Sequence, residues 1–143
     1  MNSQLVRDRG WATVIDLRMR RARDAASCVS ARVHPAGVWM IVKVAGEMDV
    51  QTVAMVADLV DSDTTHVVLD LRMVTFIDAI GLGLMVGTQR RALEAGGGVR
   101  LFAPSRSVRK LLMLTGCARM FRTFDSLDQA VFTPVGTGPI SIA

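Results

Sequence analysis

The sequence predicts an α/β sandwich, a central sheet with crossover helices. Short, almost wholly apolar runs rich in β-branched residues alternate with longer stretches whose apolar residues recur at helical spacing. Clusters of glycine, proline and aspartate separate them. The third observation sets the scale. The chain has 143 residues, 50% of them hydrophobic and 21% charged, which suffices for one domain with a real core plus tails and excludes wholesale disorder.

Val38 to Ala45 reads as a strand, apolar except for Lys43 and suited to burial on both faces. Gly46-Glu47-Met48-Asp49 breaks it. Val50 to Asp61 places Val53, Val56, Ala57 and Val60 at helical spacing. His66 to Leu71 is a second buried strand. Asp78 opens a helix that runs to Ala95 and stops at Gly96-Gly97-Gly98. Val99 to Ala103 is a third strand. Ser105 then supplies an N-cap for a helix over Val108, Leu111, Leu112 and Leu114, which Gly116 ends. Phe121 to Phe124 forms a short last strand, and Asp125 to Val131 a short last helix. Residues 1–32 read as an arginine-rich extension, helical in part around Asp16 to Ala26. Residues 33–132 form the domain, and residues 133–143, with Pro134, Gly136, Gly138 and Pro139, a flexible tail.

Residues 1–32 hold seven arginines and three aspartates, while residues 33–143 hold ten basic and ten acidic side chains, so the whole formal charge of +4 belongs to the extension. A neutral domain without tyrosine offers neither an electrostatic footprint nor stacking platforms, and no nucleic-acid partner is expected. No apolar run reaches the roughly 18 residues of a membrane span, and the N-terminus lacks a secretion signal pattern, so no stable membrane insertion is expected. Cys28 and Cys117 are too few and too far apart for a disulfide framework, and fit reduced thiols in a cytoplasmic protein. Neither an HExxH nor a CxxC spacing is present, and no metal or cofactor is expected. His34 and His66 read as solvated polar residues without a nucleophile beside them, so catalysis is not expected and a binding module leads.

Val74 to Gly83 is the most informative segment, read as a loop after a strand C-terminus, where ligands and partners of such sheets gather. Asp78 stands where a helix takes its N-cap, and its carboxylate suits the positive end of the helix dipole. Gly81, Gly83 and Gly87 fall inside the helix, each at a cost of about 1 kcal/mol against alanine. Gly83 and Gly87 share one face and would bring the helix close to the sheet. Gly81 lies off that face and would leave the first turn bare for another protein's backbone. Their spacing departs from the dinucleotide fingerprint, and Asp78 would repel phosphates. Asp49, Asp70 and Asp78 reach one sheet end as caps rather than as a general acid–base pair.

The ordered set Gly46-Glu47-x-Asp49, Val67-Val68-Leu69-Asp70-Leu71, Val74-Thr75-Phe76-Ile77-Asp78, Gly81-Leu82-Gly83, Pro104-Ser105, Leu114-Thr115-Gly116 and Asp125-Ser126-Leu127 resembles a STAS domain of the anti-sigma factor antagonist family. The resemblance implies a mixed sheet of four or five strands with helices packed mainly on one face. It also implies docking on an anti-sigma factor with a kinase-like fold, which sets the sigma factor free. The docking residues it implies are Asp49, Asp78, Ala79, Ile80, Gly81 and Leu82.

The same resemblance puts the family's switch, a serine or threonine phosphorylated by the partner kinase, at Ile80. A phosphate there would add roughly −1.5 to −2 charges to the docking surface, but isoleucine has no hydroxyl to carry one. If Ile80 remains on the surface, its burial in a partner contributes up to roughly 1.5–3 kcal/mol; if it turns inward, the surface has been remodelled. Thr75 is the nearest upstream hydroxyl and the candidate substitute phosphosite. The alternatives are an oligomeric STAS scaffold or sensor, a transport-complex subunit, and a small-ligand or nucleotide-binding STAS module. A homodimer stays open, and so does the extension's role, as a lipid-binding helix or as a segment packed on the sheet.

Overall fold

The computed structural model describes residues 27–34, 38–60 and 63–134, and the backbone alone of residues 3–6 and 13–17. Residues 18–26, which hold most of the stretch expected to be helical, residues 35–37, where His34-Pro35-Ala36-Gly37 reads in the sequence as a turn, and residues 135–143 of the expected tail lie outside the described residues.

Two strands, β1 (Ser3–Val6) and β2 (Thr13–Leu17), form an antiparallel pair. β2 runs antiparallel to β3 (Cys28–Val33), and β3 antiparallel to β4 (Met40–Met48). From there the sheet is parallel, through β5 (His66–Ile77), β6 (Gly98–Phe102) and β7 (Arg122–Phe124). The five strands β3 to β7 make the expected mixed sheet, and the β1–β2 pair widens it to seven. The extension therefore differs from its expected form. Asp16 and Leu17 lie in β2, not in a helix, and Cys28 to Arg32 lie in β3. Val29 and Ala31 point into the core while their neighbours stay half-buried, a period of 2 hidden by the arginines around it.

α1 (Val50–Leu59), α2 (Ala79–Glu94) and α3 (Arg106–Leu114) cover one face, and α4 (Leu127–Phe132) the other. Alternation along the strands divides the core accordingly. Val42, Val44, Leu69 and Leu101 meet Val56, Met85 and Leu112 on the three-helix side. Ile41, Val68 and Phe102 meet Trp39, Ala130 and Val131 on the other. Buried Gln89 of α2 ties the layers together: its Oε1 accepts from the Val99 amide at 2.6 Å and its Nε2 donates to the Met120 carbonyl.

Arg100 closes the α4 side. It is 4% exposed, its guanidinium lies 4.2 Å over the Trp39 ring, and it donates to the carbonyls of Ala130 (2.6 Å) and Pro134 (3.1 Å). Burial lowers its pKa from the ordinary arginine value, and neighbouring Arg122 adds to the effect. His34 is buried rather than solvated. Its amide donates to Trp39 O at 2.8 Å, and its ring meets Phe132 edge-on at 5.5 Å.

β5 runs six residues past Leu71, so Val74 to Ile77, expected in a loop, are strand. β4 likewise continues past Gly46, which takes φ 88° and allows a register shift. The two ends then pair as Ala45 with Met73, Gly46 with Val74, Glu47 with Phe76 and Met48 with Ile77. These irregular ends carry the candidate site.

Candidate functional site

Two helices start side by side where β4 and β5 end. Asp49 caps α1, accepting from the amides of Gln51 (3.0 Å) and Thr52 (3.2 Å). Thr52 completes the capping box: its Oγ1 accepts from the Asp49 amide at 2.8 Å and donates to Glu47 O at 2.9 Å. Asp78 caps α2, accepting from the amides of Ile80 and Gly81, both at 3.0 Å. Both carboxylates stand on helix N-termini, where the dipole favours them. Asp70 does a different job. It is buried and holds the Arg72 guanidinium through two bonds of 3.0 and 2.9 Å, and that bonding raises the Arg72 pKa. Of the three aspartates, two therefore cap helices and one holds an arginine.

The residues read as one docking set separate by orientation. Ala79 is exposed and Ile80 is 50% exposed, while Asp49 and Asp78 are half-buried. Leu82 packs against the core. Gly81 is buried, and a Cβ there would stand 2.7 Å from Met48 O and 2.9 Å from Ile77 Cγ1. Its missing side chain admits this protein's own β4 backbone, not a partner's. Gly83 and Gly87 are exposed with nothing within 4 Å, so they do not bring the helix to the sheet. The close approach expected of that pair is made at Gly81.

Two residues that the sequence reading passed over stand at the same edge. Val50, the first residue of α1, is 60% exposed, and Phe76, near the end of β5, is 52% exposed. With Ile80 they give this rim three bare apolar side chains. The sequence carried no signal for Phe76: after Leu71 exposure follows a period near 3, which a regular strand does not have, while the exposed Met73 and Phe76 are as apolar as the buried Val74 and Ile77. Thr75 is exposed, and its carbonyl accepts from the Ser107 hydroxyl of α3 at 3.0 Å. Among the described residues no group of three or more histidine, cysteine, aspartate or glutamate side chains is placed to hold a metal ion. Nor is any described helix long and apolar enough to cross a membrane.

Fold and edge together define a class: an α/β sandwich with an apolar rim built on two capped helix N-termini at the parallel-strand edge. Within it the chain belongs to the STAS domain family, which it matches over residues 30–130. It is 30% identical over 98 residues to the anti-sigma F factor antagonist of Paenibacillus polymyxa, an alignment covering 65% of this chain and 83% of that one. Its fold resembles the unphosphorylated form of the anti-sigma factor antagonist SpoIIAA with a TM-score of 0.62, at 19% identity over 76% of this chain and 100% of the other. An anti-sigma factor antagonist from Mycobacterium paratuberculosis gives the same TM-score of 0.62, at 22% identity over 76% of this chain and 93% of the other.

Proposed function

We propose that this protein is a non-enzymatic anti-sigma factor antagonist. It docks through Asp49, Val50, Phe76, Asp78, Ala79 and Ile80, with Gly81 and Leu82 seating the first turn of α2 behind them, on a kinase-like anti-sigma factor in the cytoplasm, and so frees the sigma factor. The relative from Paenibacillus polymyxa supports the class of partner. The single observation that carries the reading is Ile80, half-exposed on the first turn of α2, with Phe76 and Val50 bare beside the same strand ends. Clustered exposed apolar side chains on a soluble fold mark a protein-binding surface. Asp78 fixes the turn that presents Ile80, so little ordering is left for binding to supply. The two aspartates and Gly81 shape the rim, while Val50, Phe76, Ala79 and Ile80 provide its contact area. The position that family resemblance gives to the switch hydroxyl is aliphatic, so the antagonist is held on, without the usual phosphorylation.

The test is affinity for candidate anti-sigma kinases, measured for the parent and for Ile80→Asp. Burying the exposed half of Ile80 is worth about 1 kcal/mol, and a buried charge adds to the loss, so the complex should weaken by more than about 1 kcal/mol. Unchanged affinity for every kinase that binds the parent refutes the reading. Incubation of the parent with ATP and the bound kinase should give no phosphoprotein. Labelling at Thr75 would replace the held-on antagonist with a switched one.

A further inference from the structure

Helix α3 presents a face that the described residues leave largely exposed. Arg106, Arg109, Lys110, Met113 and Leu114 recur three or four residues apart and are all exposed, while Val108 and Leu112 are buried. Met113 and Leu114, 70% and 72% exposed, are the two barest large apolar side chains among the described residues. The cations sit in the first turn or beside it, where the macrodipole already places positive charge. A cation there is disfavoured by about 0.3–1 kcal/mol. The helix contains no acidic residue to offset them. None of the described residues forms an ion pair with Arg106 or Lys110. Arg109 gives its Nε–H to Pro104 O at 2.8 Å and reaches the highly exposed Asp125 only at 3.8 Å. Positive charge on the positive end of a helix, with two bare apolar side chains a turn further on, meets among the described residues only the long Arg109–Asp125 pair.

We propose that the outer face of α3 is a second docking surface, and that its occupant is an acidic protein segment. The segment lays carboxylates over Arg106, Arg109 and Lys110 and apolar side chains over Met113 and Leu114. The order along the helix favours a protein segment over a lipid surface. A membrane-surface helix separates basic from apolar residues around its circumference. Here they follow one another along a single stripe, which a linear segment matches turn by turn. The Ser107–Thr75 bond of 3.0 Å sets this face beside the end of β5, so a partner held at the rim can extend across it. The proposal stands on the charges and exposure of α3 and does not require the anti-sigma factor reading.

The test uses the full chain, isotope-labelled for amide shifts, and a synthetic peptide with a glutamate-rich first half and a leucine-rich second half. Binding should shift the amides of α3. It should weaken about tenfold in Arg106→Glu/Lys110→Glu, and also in high salt. Met113→Ser/Leu114→Ser should weaken it separately, with thermal melts of both variants unchanged or raised. Ile80→Asp should leave it unaltered, which separates failure here from failure at the rim. Equal binding of a peptide with lysines for glutamates, undiminished binding by the charge-reversed variant, or shifts confined to other elements overturns the proposal. So does binding of phosphatidylglycerol vesicles without binding of the peptide, which would give the face to lipid.

Discussion

Replacing Gly81 by alanine should destabilise the protein, although alanine is the better helix former. The helical gain is about 1 kcal/mol. Against it, the new Cβ would stand 2.7 Å from Met48 O, 2.9 Å from Ile77 Cγ1 and 3.1 Å from Met48 Cβ. The nearest atom is backbone in the middle of the sheet edge, and both Met48 and Ile77 are buried, so neither can swing clear. Relief requires α2 to rise off β4, and overpacking of this kind costs about 1–3 kcal/mol. The net expectation is a loss of about 1 kcal/mol. Gly83 is the control. It lies in the same helix with nothing within 4 Å, and Gly83→Ala should stabilise by about 0.5–1 kcal/mol. The two substitutions should thus differ by about 2 kcal/mol, a urea midpoint difference on the order of 1 M by circular dichroism. Gly81→Ala as stable as Gly83→Ala would refute the assignment of Gly81 to close packing on β4.

Other expectations follow from single contacts. Asp78→Ala should lose about 1 kcal/mol of stability in the same melts, and Asp78→Asn only a few tenths, because an amide oxygen still accepts from the Ile80 and Gly81 amides. Ile80→Asp should leave the unfolding midpoint nearly unchanged, within about 0.5 kcal/mol, so any lost binding reports the surface itself. Arg100→Leu takes the donor from the Ala130 carbonyl, leaves the Pro134 carbonyl only its 3.3 Å bond from Arg122, and removes the cation from Trp39. It should cost about 2–3 kcal/mol and change Trp39 emission in a Trp11→Phe background; an unaltered spectrum would contradict the stacked geometry.

The sequence determined the order and type of most elements from residue 38 onward, because each had both a period and a stop. Three features made α2 legible: apolar spacing, an aspartate at its start and glycines at its end. The caps at Asp78 and Ser105 were readable for the same reason, since a cap depends on neighbours a few residues away. What escaped depended on pairing across the sheet. β3 is six residues long and its strength comes from lying between β2 and β4, which its own residues do not announce. The last residues of β5 became strand because β4 continued beside them through two register shifts, one between Lys43 and Ala45 and one between Gly46 and Glu47. Only the tertiary structure decided what each glycine of α2 is for: helical spacing shows which residues share a face, but not which face meets β4. It also decided that Ile80 points outward in company with Val50 and Phe76, because exposure is a property of everything packed around a side chain and not of the residue itself.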